Sequence, residues 1–477
     1  MGRGAGRLIQ LAAGIGLVAL ILGGAAPARA GDPRLRWRTL ETDHFAIHFH
    51  ENERPVAERV AVVAERVHTV LAPHLKWQPR TRTHLVLTDD TDSPNGSATV
   101  LPYNLIRLFV TAPDSASVLN DHDDWMYGLI MHEYSHVLHL DNITGLPRLV
   151  NMILGKQWAP NQIQPRFIIE GLATYEESKR TTSGRIRSAI FDMYLRAAVL
   201  EGKLQRLDQI TNGAPLQWPQ GTTAYLYGSS LMAFLADRYG DDVIARLSKE
   251  YGGSANLSTS WVPFGLNKAL RKVSGKDWVT IYAEWREHLV RRYDLQKAEA
   301  EARGLTPYRK VTTGAFNNDC PVFSADGARL LWVQDDGTAR ARWMATPVAG
   351  HDPDRLTLGR PERVRVLRSG GKLAVHPDGT RAANDEYSVV ETVYGYTDLY
   401  EYDFGRGEYR ALTHGARARE PAYAPDGSRI AFSQGDLGTS WLAAIPARGG
   451  DVEVLWRGAR FSQVYTPAWS PDGKSVA

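Results

Sequence analysis

Met131-His132-Glu133-Tyr134-Ser135-His136 is the stretch on which the reading of this chain turns. On a helix of 3.6 residues per turn, His132 and His136 lie four apart and project from one face. Two imidazoles so placed can bind one Zn²⁺ at about 2.0–2.1 Å. Glu133 adjoins the first of them, where it can take a proton from a metal-bound water. Trp125, Leu129, Val137 and Leu140 supply apolar cover, and neither Pro nor Gly interrupts residues 129–142. The competing reading is a core helix with two incidental histidines.

A catalytic zinc needs three protein ligands and an open position. Phe167-Ile168-Ile169-Glu170-Gly171-Leu172-Ala173-Thr174-Tyr175 reads as a second buried helix carrying one carboxylate. A carboxylate is almost never buried without a partner, so Glu170 calls for a cation. His-Glu-x-x-His followed by Glu-Gly-Leu-Ala resembles the gluzincin metallopeptidases, the superfamily of aminopeptidase N and thermolysin. The resemblance spans roughly residues 35–295. It implies an α+β zincin-like catalytic domain with Zn²⁺ held by His132, His136 and Glu170, and Glu133 as general base. Tyr225-Leu226-Tyr227-Gly228, running on to Arg238-Tyr239-Gly240, is similar to the aminopeptidase helix whose tyrosine serves the oxyanion. The resemblance gives that role to Tyr225, a donor aimed at developing charge; a tyrosine packed in a helical core is the alternative. Tyr227 faces elsewhere on the helix.

Two departures from the aminopeptidases stand out. The 34 positions from His136 to Glu170 exceed their spacing, and Gly145, Pro147, Gly155, Pro160 and Pro165 make the insert loop and short helix. The Gly-x-Met-Glu-Asn stretch that holds a substrate's free amine is missing, so amino-terminal trimming is not implied. A closer resemblance is to bacterial metallopeptidase-like proteins fused to a TolB-like propeller. It rests on Asn95-Gly96, Pro102-Tyr103-Asn104 and the apolar strand Leu105 to Val110 before the motif.

Residues 1–30, with Arg3 and Arg7, an apolar run from Leu8 to Leu22 and Ala28-Arg29-Ala30, read as a secretory signal peptide. The run is too short to span a bilayer, so the expectation is an exported protein, periplasmic or secreted, without a transmembrane segment. A single cysteine, Cys320, excludes an internal disulfide and a thiolate zinc cluster. A net charge of +3 without long basic runs excludes an electrostatic case for nucleic acid.

Residues 35–50 alternate, with Phe45, Ile47 and Phe49 on one face and His44, His48 and His50 on a polar one, which predicts a half-buried strand. Val56, Val60, Val63, Val67 and Val70 recur at helical spacing, and Leu85-Val86-Leu87 reads as a strand. Leu105 to Val110 is expected as the edge strand beside the cleft, pairing with substrate backbone. His139 is one turn beyond His136 and suits packing or support better than ligation. Glu176 or Glu177 can orient a zinc histidine, or both can be solvated. Helices are expected over Thr222–Tyr239, Asp241–Tyr251 and Trp278–Ala302.

After residue 313 the texture changes to repeats: Ser324-Ala325-Asp326-Gly327, His376-Pro377-Asp378-Gly379, Ala424-Pro425-Asp426-Gly427 and Ser470-Pro471-Asp472-Gly473. Their aspartates are 52, 48 and 46 apart. A period near 45–50 with strand, Asp-Gly turn and strand means propeller blades, and the motif resembles TolB-type repeats. Four repeats do not close a ring easily, so residues 313–477 are expected as an incomplete propeller of a longer protein. Residues 31–305 are expected as the zinc metallopeptidase domain. The function expected is hydrolysis of peptide or protein substrates, with a possible protein partner at the propeller; the alternative is a non-catalytic envelope scaffold.

Overall fold

Phe45, Ile47 and Phe49 are buried on one face of a strand, as their alternation predicts, but the stretch around them is a hairpin. Strand β1 (Trp37–Glu41) pairs antiparallel with β2 (Phe45–His50). Thr42 makes the turn, its hydroxyl accepting from the Phe45 N–H at 3.1 Å. A threonine side chain that bonds backbone two or three residues on competes with extended structure, which is why the strand breaks here. Histidines 44, 48 and 50 are half-buried rather than freely solvated: His48 Nε2 meets His84 Nδ1 at 2.8 Å, and His44 bonds Glu65. The computed structural model describes residues 32–211, 217–253, 263–308, 310–312, 314–350, 356–369 and 371–477. The signal peptide read at residues 1–30 lies outside them.

Helix α1 (Arg54–Leu75) lays Val56, Val60, Val67 and Leu71 on the sheet, while Val70 falls off that stripe and is exposed. Strands β3 (Thr83–Thr88), β4 (Gly96–Thr99) and β5 (Leu105–Phe109) complete a mixed sheet of order β1-β2-β3-β5-β4. The expected edge strand, residues 105–110, is therefore not at the edge. β5 lies parallel to β3, and the turn around Pro102-Tyr103-Asn104 doubles the chain back so that β4 pairs antiparallel outside it, Gly96 opposite Leu108. The short Gly-Ser-Ala-Thr strand has no apolar alternation by which sequence could announce it.

The helices follow. They are α2 (Trp125–Leu140), α3 (Gly145–Leu154), α4 (Arg166–Arg180), α5 (Ala189–Leu200), α6 (Leu207–Ile210), α7 (Thr223–Tyr239), α8 (Val243–Gly252), α9 (Pro263–Ser274) and α10 (Trp278–Arg303). Asp124 caps α2, accepting from the Tyr127 N–H, and every residue from Leu129 to Leu140 is buried. The insert before Glu170 is short helix α3 plus a 3₁₀ turn at Pro160–Ile163. α9 is an element that the sequence reading did not resolve. Trp285, Leu289 and Tyr293 are buried along α10, as their phase predicts. Among the described residues no helix is long and apolar enough to cross a membrane.

The repeat region forms three antiparallel sheets. The first holds β6 (Asn317–Phe323), β7 (Arg329–Asp335), β8 (Arg342–Ala349), β9 (Thr357–Leu358) and β10 (Glu362–Val366). The second holds β11 (Leu373–Val375), β12 (Arg381–Val390), β13 (Tyr394–Asp403) and β14 (Tyr409–Ala411). The third holds β15 (Ala418–Tyr423), β16 (Arg429–Asp436), β17 (Thr439–Pro446) and β18 (Glu453–Trp456). Each Asp-Gly turn joins the first two strands of its sheet: Asp326, Asp378 and Asp426 accept from the amide two residues on, and the glycines have φ of 68°, 72° and 71°. That left-handed conformation is why the second residue is glycine. In the fourth repeat Trp469 bridges Val476.

Candidate metal centre

Helix α2 presents His132 and His136 to α4, and the two rings converge with Glu170. The His132 and His136 Nε2 atoms are 3.2 Å apart, and Glu170 Oε2 is 3.6 Å from the first and 3.3 Å from the second. Among the described residues this is the one group of three or more His, Cys, Asp or Glu donors close enough to hold an ion. Two nitrogen lone pairs and a carboxylate oxygen aimed at one another repel unless a positive charge sits between them. Ligands about 2.0–2.1 Å from a tetrahedral zinc are about 3.3–3.4 Å from each other, which the observed triangle matches. The residues present therefore fit Zn²⁺.

Electrostatics agree. Burial opposes a charged imidazole at His132, and Arg185 opposes it too; Glu170 and Glu177 nonetheless pull the ring up to about 9. Burial would raise the Glu170 carboxyl, yet its bonds with the two histidines hold it far below the usual carboxylate range. His132 Nδ1 lies 3.0 Å from Glu177 Oε2 and 2.7 Å from Arg185, and only one contact can be a hydrogen bond. With Nε2 facing the cluster as a lone pair, Nδ1 carries the proton and donates to Glu177. Arg185 then bonds Glu177, whose carboxyl, raised by burial, is brought down to about 2 by Arg185 and His132. Between the two carboxylates that sequence left open, Glu177 supports the histidine. Glu176 sits apart, buried with His74 and Arg180. His139 is also apart: its Nδ1 meets Ser248 Oγ at 2.7 Å, and burial pushes it down to about 3.

Glu133 is buried beside the cluster, its carboxyl raised by burial against the pull of His132 and His136. It touches strand β4: a Cβ built on Gly96 would fall 2.6 Å from Glu133 Oε1 and 2.8 Å from its Cγ. A glycine at the sheet edge is what leaves room for this side chain.

A second pair of glycines sets the rest of the cleft. A Cβ on Gly228 would lie 2.0 Å from the Phe167 carbonyl oxygen, and one on Gly171 would lie 2.4 Å from the Gly228 carbonyl carbon. Helices α4 and α7 thus cross backbone to backbone, which only glycine permits. One residue before Gly171 is Glu170, and three before Gly228 is Tyr225, so the crossing delivers both to one place. Tyr225 lines the cleft, its ring 6.2 Å from that of His132. Arg166 Nη2 donates to its hydroxyl oxygen at 3.4 Å and to Glu170 Oε1 at 3.3 Å. Tyr227 is buried instead, accepting from the Gln205 N–H at 3.1 Å.

The cleft has a volume of about 540 Å³. Asn95 to Ala98 of the sheet edge form one wall, and Val118, Leu119, Asp121 and His122 form a lip. Among the described residues neither nitrogen of the His122 ring has a hydrogen-bond partner. Sequence reading missed Gly96, Arg166, Arg185 and His122 as cleft residues. Only Arg166, one helical turn before Glu170, carried a positional signal.

No protein-family model and no curated protein matches the chain. Among solved structures, it is similar to TolB from Acinetobacter baumannii at 19% identity and TM-score 0.27, over 34% of this chain and 37% of that one. It is similar to putative TolB from Agrobacterium tumefaciens at 22% identity and TM-score 0.28, over 35% of this chain and 55% of that one. An oligogalacturonate lyase in complex with manganese gives 18% identity and TM-score 0.27, over 35% and 47% of the two chains. The chain thus spans no more than about half the length of these proteins.

Proposed function

We propose that this chain is an exported, zinc-dependent metallopeptidase with an α+β gluzincin-type catalytic domain. The observation that carries the reading is the near-equilateral triangle of His132 Nε2, His136 Nε2 and Glu170 Oε2, with Glu133 beside it. A zinc ion held by these three supplies Lewis acidity and lowers the pKa of water. Glu133 takes the proton of the attacking water and returns it to the leaving amine. Its burial, which raises its proton affinity, suits both halves of that task. Tyr225 donates to the oxyanion: its oxygen accepts from Arg166, so its own proton is left to point elsewhere. Substrate backbone adds to the outer edge of β4, the wall formed by Asn95 to Ala98.

The scaffold reading leaves Glu133 without a task, since burying its carboxyl beside the donor cluster costs stability. Glu133→Gln decides the matter. It should keep zinc and fold while peptide-library hydrolysis falls by about 10²–10⁴-fold or more. Equal hydrolysis by wild type and variant would refute the peptidase reading; zinc without hydrolysis in either would favour the scaffold.

A further inference from the structure

The metal ligands stand on α2 and α4, but the lip of the cleft and the entry to its sheet-edge wall stand on two loops, residues 89–95 and 110–124. The first leads into edge strand β4, whose Gly96 touches Glu133. The second follows β5 and carries the lip, including His122 with its two unpartnered nitrogens. Both loops are anchored on the repeat region.

Arg417, buried before β15, is the centre of that anchorage. Its Nη1 and Nη2 bond the two carboxylate oxygens of Asp89 at 2.5 and 2.8 Å, and its Nε bonds Asp92 at 2.8 Å. Nη2 also donates to Thr111 Oγ1 at 2.8 Å, so a single guanidinium joins both loops. The Tyr396 ring packs under it, with the guanidinium carbon 4.7 Å from the ring centroid, and the Tyr396 hydroxyl donates to the Asp89 carbonyl. Around this fork Asp92 accepts from Thr397 N and Oγ1, and Gly395 exchanges backbone bonds with Asp90 and Asp92. Farther along the second loop, Arg419 donates to the Ala112 carbonyl, and Glu420 accepts from the Ser115 amide and hydroxyl.

We propose that Arg417 is a positioning residue for the substrate cleft, by which the repeat region holds the edge strand and lip in register with a metal site that it does not touch. The premise that the cleft takes a peptide rests on the proposed function; the mechanical coupling does not. A planar fork with a stacked aromatic is the geometry lysine cannot reproduce, so Arg417→Lys should behave like Arg417→Gln.

The test uses the full-length chain as wild type, Arg417→Gln and Arg417→Lys, and the milder Ser115→Ala. Three readouts are taken: zinc per chain, hydrogen exchange by segment, and peptide hydrolysis. In both Arg417 variants exchange should rise in 89–99 and 110–124 while 125–140 and 166–180 keep their protection and zinc stays near one per chain. KM should rise about tenfold or more with kcat within about threefold, the signature of lost binding rather than lost chemistry. Ser115→Ala should loosen 110–124 alone, and it is the deciding variant if the Arg417 changes prevent folding. Unchanged exchange in both loops, or an equal rise in the motif helices, overturns the proposal. If wild type hydrolyses nothing, the exchange pattern and zinc content still decide the coupling, and only the proposed function fails.

Discussion

Gly96→Ala adds one methyl group and asks whether Glu133 works from the position it occupies. The Gly96 backbone is not in the left-handed region, so alanine introduces no torsional strain, and the effect is confined to what the new Cβ meets. The three atoms nearest to it all belong to Glu133: Oε1 at 2.6 Å, Cγ at 2.8 Å and Cδ at 2.9 Å. Carbon atoms pack at about 3.5–4.0 Å, so the carboxylate must retreat by about 1 Å. The helix cannot supply that movement, because α2 is buried from Leu129 to Leu140. The side chain must rotate away from the edge strand instead, out of the position it now holds. Misplacement of a reacting group by about 1 Å can cost about 10²-fold in rate, and overpacking costs about 1–3 kcal/mol of stability.

The expected result is a kcat lower by about 10²-fold with zinc stoichiometry unchanged, since no metal ligand is displaced. Metal content by mass spectrometry, urea unfolding and peptide cleavage on one preparation separate the three quantities. A Gly96→Ala protein with wild-type kcat and normal stability would show that the Glu133 carboxylate does not do its work from this place. Zinc loss alongside activity loss would show that the edge strand holds the ligands as well, contrary to the geometry given above.

Other expectations concern the ligands, the helix crossing and pH. Glu170→Ala should abolish stoichiometric zinc, Glu177→Gln should weaken affinity by about 10–100-fold through His132, and Glu176→Ala should leave metal untouched; zinc retention by Glu170→Ala would reassign the third ligand. Gly228→Ala drives a Cβ to 2.0 Å from a carbonyl oxygen, so the α4–α7 crossing must open, with a loss of about 3 kcal/mol in urea unfolding; wild-type stability would contradict the crossing. Glu53 is buried and pushed up to about 7, first by burial and then by Asp89 and Asp90, against its bond from His50. Its raised folded pKa means the unfolded chain releases the proton first, so stability should fall as pH rises from about 4.5 to about 7 and level off above. Glu53→Gln should remove that slope and exceed wild type at pH 8 by up to about 3 kcal/mol; an unchanged pH profile would show that Glu53 is ionised in the fold.

The sequence pointed to His132, His136 and Glu170 because donors that converge from two helices write their spacing directly: two histidines four apart on one face, and a lone carboxylate in an apolar run. It disclosed the Asp-Gly turns because a left-handed position admits few residues. It placed the cleft edge on the wrong strand because residues 105–109 carry the apolar pattern of a strand interior to the sheet. The true edge, Gly96–Thr99, is small and half-exposed and has no pattern to read. Arg185 was invisible for a related reason: an arginine in a turn between helices looks like any other until tertiary structure buries it against Tyr225, where Arg166, one turn before Glu170, joins it.

The texture change near residue 313 reads as a boundary between two independent parts, and in secondary structure it is one. In packing, residues Trp37–Ala477 form one compact unit. The reason is that most of the hydrogen bonds named across the boundary join single polar residues, Arg417, Asp89, Asp92, Glu420 and Ser115, about 300 positions apart in the chain, with Leu437 and Phe461 adding isolated apolar contacts to the N-terminal core. Composition and periodicity register apolar stripes and turns, and a buried ion pair is neither. Severing such a pair is far more damaging than its net contribution suggests, because each partner is left charged and desolvated. Cutting the chain between 305 and 313 would strand Asp89 and Asp92 beside the edge strand without their guanidinium. The three converging donors lie wholly on the N-terminal side of that cut, whereas the anchorage of the cleft's edge and lip does not. Donors that stay together after the cut and a cleft that loosens are therefore compatible outcomes, so under the proposed function zinc content has to be measured beside peptide hydrolysis rather than in its place.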